Sequence, residues 1–525
     1  MTVATRDWLT MFVLAIVALA LRLEVANRQG LHDDEMFSIA MATGHSLEQP
    51  ATESDSTQGD FVQAREPVSP EYYRRFARHD DEPAGLRRVL RAVLLSDTSP
   101  PLYYIALNLW TRITGTSDFA LRAFSALAGA LCVPLAWMLG RLLFGSAAGL
   151  IAGGIAALAP QAVHYGALGR MYPHTALLTL AVVLLTVKLH KRGFTPGVAA
   201  GWVLASAAGL LTHYFVVFAW LACALWLFVR PHRASRWALI GCMTATVVLI
   251  LPWYLQLPES IAGWRVTKGW LEEKPNGYVP VVSEVRPLVT YFLTSGPWLN
   301  RRGPTDYILL AVVGIALAIG LRNSLRILFP SGSQLLIGWL VAAAAGLLAF
   351  DLLQGTWARQ IGRYSFPPLF AAAVLAAGIA SRIPKRSRNV LMAIVVLLWM
   401  DGLWRLNREP SGDNPHKAVV AQIERGSPPH TVVVHAIPSG ALVYARYLDD
   451  RFLMLDWVEA LGTRTLRDAA LAANISPNLT LVKAPSVRVV PEETYFRGRG
   501  VVADSSRGPG YERLLFRFGP SIDSR

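Results

Sequence analysis

Trp8-Leu-Thr-Met-Phe-Val-Leu-Ala-Ile-Val-Ala-Leu-Ala-Leu-Arg-Leu-Glu-Val-Ala26, followed closely by His32-Asp-Asp-Glu35, decides how the rest of the chain is read. The first run is apolar and long enough to cross a hydrocarbon core of about 30 Å. No clear small-residue cleavage site follows it, so it reads as a permanent span and not as a signal peptide. Three consecutive carboxylates beside a bilayer are costly. At the mouth of a membrane helix they point to an ion pathway or to an active site working on a lipid-linked substrate.

Composition agrees with a membrane class. The chain has 525 residues, is 53% hydrophobic and only 16% charged. A soluble protein of this size carries about 25% charged residues. Mean hydropathy is +0.36. Apolar runs recur from Trp8 to Trp404. The net charge of +14 is not a nucleic-acid footprint, because the Lys and Arg residues sit in short loops between spans, as the positive-inside rule requires. Cys132, Cys223 and Cys242 all fall inside apolar runs, lack metal-ligand spacing and imply no disulfide framework.

Four cationic loops set the expected topology: Lys188–Arg192, Arg230–Arg236, Arg322–Arg326 and Arg382–Arg388. With these in the cytoplasm, the alternating segments at 169–173, 212–214, 257–304 and 351–364 lie outside. The apolar helix expected over 102–115 is too short for a crossing and is placed in or along the outer leaflet. The expectation is a polytopic α-helical protein of about eleven crossings over residues 1–405, with the N-terminus inside. Residues 29–98 form a first external loop and 257–304 a second. Residues 406–525 form a small external α/β domain, read from runs such as Thr431-Val-Val-Val-His435 and Leu479-Thr-Leu-Val-Lys483. In the first loop, Tyr72-Tyr-Arg-Arg75 through Leu86–Leu95 carries apolar residues at helical spacing with Arg between them. That suggests an interfacial helix near lipid phosphates, with an ordinary solvated helix as the alternative.

The external points collect acids, bases and aromatics. They are Asp33, Asp34 and Glu35; then Asp97 and Tyr103; His164, Arg170 and Tyr172; His213; Lys268; and Arg359, Arg363 and Tyr364. A carboxylate can take a proton from a hydroxyl. Arg and Lys can hold a phosphate leaving group. Aromatics can stack on sugar faces. The set suits attack by a hydroxyl on a sugar carbon with displacement of a lipid phosphate. Each member has a plainer reading: Asp33 to Glu35 as helix caps, Asp97 as an N-cap, Arg170 as a snorkelling anchor, His213 as a structural histidine, Tyr and Trp as an interfacial belt.

Ordered motifs add a family resemblance. Leu31-His-Asp-Asp-Glu-Met-Phe-Ser38, Asp97-Thr-Ser-Pro-Pro-Leu-Tyr-Tyr104, Phe119–Leu127, Leu139–Gly145, Tyr165–Tyr172, Thr212-His-Tyr-Phe215 and Gly362-Arg-Tyr-Ser-Phe-Pro-Pro368 together resemble the GT-C superfamily of integral-membrane glycosyltransferases. The family 39 type is the nearest, with protein O-mannosyltransferases and aminoarabinose transferases among its members. The resemblance covers about residues 8–405. It implies a polyprenyl-phosphate-sugar donor (hexosyl or pentosyl), a hydroxyl acceptor among glycans, lipids or proteins, inversion at the sugar carbon, and a location on the outer face of the plasma membrane. By motif position it makes Asp34 the catalytic Asp and Glu35 its partner. Arg170 and Arg363 match positions near the donor phosphate; Asp97, Tyr103, Tyr172, His213, Lys268, Arg359 and Tyr364 join them as candidate substrate-binding residues from their place on the same external face. Glu35 and Asp97 would hold a divalent cation, Mg2+ or Mn2+, if one is used. The chain departs from the pattern at Ser99, where His or Lys is usual, and at Gly169, which has no neighbouring acid. The competing reading is a transporter or flippase of lipid-linked sugars, which would concentrate ionisable residues near the midplane; a non-catalytic scaffold is the third.

Overall fold

The computed structural model describes residues 3–28, 30–47, 54–62, 64, 66–96, 99–230, 236–258, 271–272, 274, 304–328, 330–408, 416–435, 438–456, 478–483, 496–498, 500–508 and 511–518. Asp97 and Lys268 lie outside the described residues, as do most of residues 257–304.

Helix α1 (Val3–Arg28) is followed by the short α2 (Asp33–Ala42), and the first loop contributes α3 (Pro70–Arg74) and α4 (Leu86–Ser96). Then come α5 (Leu102–Thr114), α6 (Asp118–Phe144), α7 (Ser146–Leu158), α8 (Pro160–Ala167), α9 (Tyr172–Arg192), α10 (Pro196–Leu210), α11 (Val216–Val229) and α12 (Arg236–Tyr254). After them run α13 (Pro304–Asn323), α14 (Ser331–Gln354), α15 (Phe366–Ala380) and α16 (Lys385–Arg408). Among the described residues eight helices are long and apolar enough to cross a membrane, and the bent pair α7–α8 makes nine. Helices α10 and α11 are apolar but have only 15 and 14 residues. At 1.5 Å per residue they reach about 22 Å, short of a core of about 30 Å. These elements lie where the eleven expected crossings fall, and two of the eleven lack the length of a full crossing. Helix α5, with 13 residues, is shorter still, as its sequence requires.

Two ends of the bundle can be told apart by their contacts. At one, Lys191 Nζ donates to Leu142 O (2.9 Å), Trp226 Nε1 to Ser331 O (2.9 Å) and Asn323 Nδ2 to Arg382 O (3.0 Å). The cationic loops sit at this end. At the other, Leu102 N donates to Leu211 O (2.9 Å) and Gly169 N to Glu35 Oε1 (2.6 Å). The acids of α2 sit here.

The break between α7 and α8 turns the chain by 54°. Pro160 has no N–H for the carbonyl of Ala156. Arg22, fully enclosed in α1, supplies the missing donor. Its Nη2 reaches Ala156 O (2.9 Å) and Ala162 O (3.0 Å), and its Nη1 reaches Ala157 O (3.3 Å) and Ala18 O (2.9 Å). A cation at the C-terminal end of α7 is also favoured by the helix dipole.

Helix α4 corrects the expectation of a helix lying along lipid with its arginines at phosphates. Val89, Ala92 and Val93 are buried, and α4 packs on α2. Arg88 Nε donates to Gly44 O (3.0 Å), and Arg91 forks onto Asp60 at 2.5 and 2.8 Å. Its amphipathic pattern serves a protein interior rather than a lipid surface.

The C-terminal region holds α17 (His416–Gly426), α18 (Pro438–Tyr447) and a five-stranded sheet. Its strands are β1 (Val432–His435), β2 (Leu453–Asp456), β3 (Asn478–Lys483), β4 (Gly500–Gly508) and β5 (Tyr511–Phe518), in the order β2-β1-β3-β5-β4. β1 is parallel to β2 and β3, and β5 is antiparallel to β3 and β4. The edge strand β2 is covered by the first loop: Val68 and Met454 exchange backbone hydrogen bonds of 3.0 and 2.7 Å.

Candidate active site

The acidic triplet opens α2, where the first-turn amides favour negative charge. The structure sends its three carboxylates to three different partners. Asp33 turns to the C-terminal domain, with Oδ1 3.4 Å from His416 Nε2. Asp34 Oδ2 lies 3.0 Å from Arg363 Nη1. Glu35 is enclosed with Arg122.

Glu35 is held on every side. Oε1 accepts from Arg122 Nε (2.7 Å) and Gly169 N (2.6 Å); Oε2 accepts from Arg122 Nη2 (2.5 Å) and His32 N (2.8 Å). The last of these completes a capping box, because the His32 side chain accepts the Asp34 N–H at 3.0 Å. Arg122 Nη2 also donates to Gly30 O (2.7 Å). Its four donors use the acceptor capacity of a buried carboxylate. Glu35 ties α2, α6 and the 169 loop together. Gly169 is required for that tie: a Cβ there would stand 2.6 Å from Leu121 Cγ and 2.9 Å from Glu35 Oε1. The departure from the family pattern at this position is thus a packing requirement.

Asp34 is partly open, with 27% of its side chain exposed against 30% for Asp33 and none for Glu35. Burial raises its carboxyl, but Arg363, His32 and Arg170 outweigh burial and hold it well below the usual carboxylate range. Arg170 Nη1 donates to the Asp34 carbonyl (2.9 Å) and to Ser38 Oγ (3.1 Å), and Ser125 Oγ donates to Arg170 O (3.0 Å). Around the two arginines stand aromatic rings. The Tyr172 ring centre is 5.8 Å from His213 and 6.2 Å from Tyr364, and Arg363 lies 5.7 Å from the centre of the Tyr364 ring. His213 accepts from Phe215 N (3.2 Å); burial, reinforced by Arg170, lowers its imidazole to about 3. It is a neutral turn residue that lines the site. Tyr103 is buried with its ring against Tyr104, Phe124 and His174.

Asp34, Arg170, Tyr172, His213, Arg363 and Tyr364 thus form one cluster. Arg359 pairs instead with Asp351 (2.9 Å), a buried carboxylate that also accepts from Thr356 Oγ1, Ala358 N and Arg359 N. That pairing ties Arg359 to the loop before Arg363. Among the described residues no group of three or more His, Cys, Asp or Glu side chains could hold a metal ion.

Sequence reasoning missed four residues that build the site: Arg122, Ser38, His416 and Tyr447. Arg122 carried a signal, being an ionisable residue inside an apolar run.

Residues 98–255 match the family model described as dolichyl-phosphate-mannose-protein mannosyltransferase. The structure of ArnT from Cupriavidus metallidurans bound to undecaprenyl phosphate superposes with a TM-score of 0.55 at 13% identity, covering 99% of this chain and 100% of that one. The apo form of the same protein gives 0.56 at 12%, with the same coverage. The Archaeoglobus fulgidus oligosaccharyltransferase in its apo form gives 0.50 at 11%, covering 99% of this chain and 75% of that one. This chain has the fold of these structures. No curated protein matches the sequence. The family-model match contains Arg122, Arg170, Tyr172 and His213, whereas Asp34 and Arg363 come from before and after it.

Proposed function

We propose that this protein transfers a sugar from a polyprenyl-phosphate donor to a hydroxyl acceptor, inverting the sugar carbon. The observation that carries the reading is the pair Asp34–Arg363 beside Arg170: a partly open carboxylate and two guanidinium groups in one cluster. Undecaprenyl phosphate in a structure of the same fold supports a lipid phosphate as the donor's leaving group.

The chemistry follows from charge. A donor phosphate competes with Asp34 for Arg363, since two oxygens of a tetrahedral phosphate can accept from the planar guanidinium fork together. Arg170 adds a second positive charge. Asp34, released from its partner, accepts the acceptor hydroxyl's proton as the oxygen attacks C1 from the face opposite the phosphate. The C1–phosphate oxygen bond breaks, and the electron pair leaves with the polyprenyl phosphate, whose growing charge Arg363 and Arg170 neutralise. Tyr172, Tyr364 and neutral His213 supply faces against which a sugar ring can stack.

The same reading places the site on the outer side of the plasma membrane. The cationic loops occupy the opposite end of the bundle, where the positive-inside rule puts the cytoplasm. The C-terminal domain, joined to α2 through His416 and Tyr447, then lies outside.

The test uses purified protein with a labelled polyprenyl-phosphate sugar. Transfer releases polyprenyl phosphate and labels an acceptor, and Asp34→Asn abolishes both without loss of folded protein. Passage of intact donor across a vesicle membrane, with no release, would favour a flippase and overturn the reading.

A further inference from the structure

A polar cavity of about 420 Å³ lies where three parts of the chain meet. Arg74 and Arg78 come from the first loop, Ser117 and Asp118 from the start of α6, and Arg446 and Tyr447 from α18.

The three guanidinium groups differ. Arg74 is engaged, donating to Ala445 O (2.7 Å) and Leu448 O and pairing with Glu71 (3.1 Å) and Asp450 (2.9 Å). Arg446 binds Asp118 through Nε and Thr116 O through Nη2 (2.5 Å), which leaves Nη1 for a further acceptor. Arg78 pairs with Glu71 alone, at 2.8 Å, and these two side chains are 52% and 53% exposed. Such an exposed pair is worth little in water. A doubly charged oxyanion outcompetes a single carboxylate for the Arg78 fork. Beside it, the Ser117 hydroxyl and the Asp118 carboxylate are the kinds of group that bond to sugar hydroxyls.

The cavity is wired to the candidate base. Tyr447 Oη accepts the Leu31 N–H at 2.8 Å and donates to Asp118 at 2.5 Å. Leu31 stands three residues before Asp34, a backbone reach of at most about 11 Å. A unit held here would adjoin the segment that leads into Asp34.

We infer that this cavity binds a phosphorylated sugar unit of the acceptor, an inference that rests on the glycosyltransferase reading. The test titrates glucose 1-phosphate, with glucose as control, into the full chain in phosphatidylcholine nanodiscs. Glucose 1-phosphate binds at least tenfold more tightly than glucose, and Arg78→Gln, an exposed change, weakens it at least tenfold. Arg363→Gln and Asp34→Asn leave it unchanged, which separates this cavity from the donor site. Equal binding by wild type and Arg78→Gln overturns the inference. Displacement when the discs contain phosphatidylglycerol reassigns the cavity to a lipid headgroup and overturns the acceptor assignment. Unaltered binding in Arg78→Gln with transfer lost in Asp34→Asn removes the cavity and keeps the enzyme. The opposite pair of results removes the transfer centre and keeps a phosphosugar site.

Discussion

Arg363 places Nη1 3.0 Å from Oδ2 of Asp34, joining the loop before α15 to the first turn of α2. The pair is only partly enclosed, with side chains 20% and 27% exposed. An ion pair open to solvent can exchange partners, and that exchange is what a donor phosphate requires.

The first prediction concerns Asp34. Asp34→Asn keeps the shape and removes the proton acceptor, so transfer falls by about 10²–10⁴-fold. The donor still binds at least as well, because Arg363 has lost its competitor. Single-turnover transfer and donor-binding isotherms on the same preparation measure both.

A second prediction concerns pH. The Asp34 carboxyl is depressed in the folded protein, so its ionised form adds stability above the ordinary carboxylate value, and that contribution is lost as pH falls through the depressed value. Arg363→Gln removes the strongest opposing charge and leaves burial to raise the carboxyl. The acid limb of transfer then moves to higher pH by about 1–3 units. A limb that stays put would separate Asp34 from Arg363 functionally.

Glu35 and Arg122 provide the third. Removing one partner of a buried, fully bonded pair costs about 3–5 kcal/mol. Arg122→Met alone lowers the apparent melting temperature of the purified protein sharply, and so does Glu35→Gln, to a lesser degree because the amide still accepts. The double variant recovers part of the loss. Wild-type melting of Arg122→Met would show that the pair does not hold the 169 loop.

The fourth tests the contact between the C-terminal domain and α2. Tyr447→Phe leaves the Leu31 amide and Asp118 without the hydroxyl between them, at about 1–3 kcal/mol. Transfer slows while donor affinity holds, because the change acts on the position of Asp34 and not on the phosphate contacts. A proportional fall in both would assign Tyr447 a purely structural role.

Much of the fold was legible because apolar length and loop charge are local properties. The segments 8–26, 118–144, 172–192 and 331–354 could be read one at a time, and the cationic loops fixed their alternation. Asp34, Arg170 and Arg363 were visible as charges at helix ends in an otherwise apolar chain. The division of labour within Asp33-Asp34-Glu35 was not visible, because it depends on which distant partner reaches each carboxylate. His416, Arg363 and Arg122 lie far apart in sequence, and no local pattern assigns them. Arg122 sat inside the quoted stretch Phe119–Leu127 and went unremarked. Arg359 resembled Arg363 in sequence setting, and only the buried Asp351 beside it distinguishes the two. The α4 arginines misled for a similar reason: a cationic amphipathic pattern reads alike whether its partners are lipid phosphates or Asp60 and the Gly44 carbonyl.

Arg22 carries a consequence for how the molecule is made. Its guanidinium belongs to α1, which is synthesised before three of the carbonyls that receive it, 134 to 140 residues further along. Until those emerge, a permanent charge sits in a segment bound for hydrocarbon, where it is costly. The opening helix cannot settle at its final depth before the kinked pair arrives. Biogenesis of the bundle therefore has an order, set by a single side chain waiting for a bend.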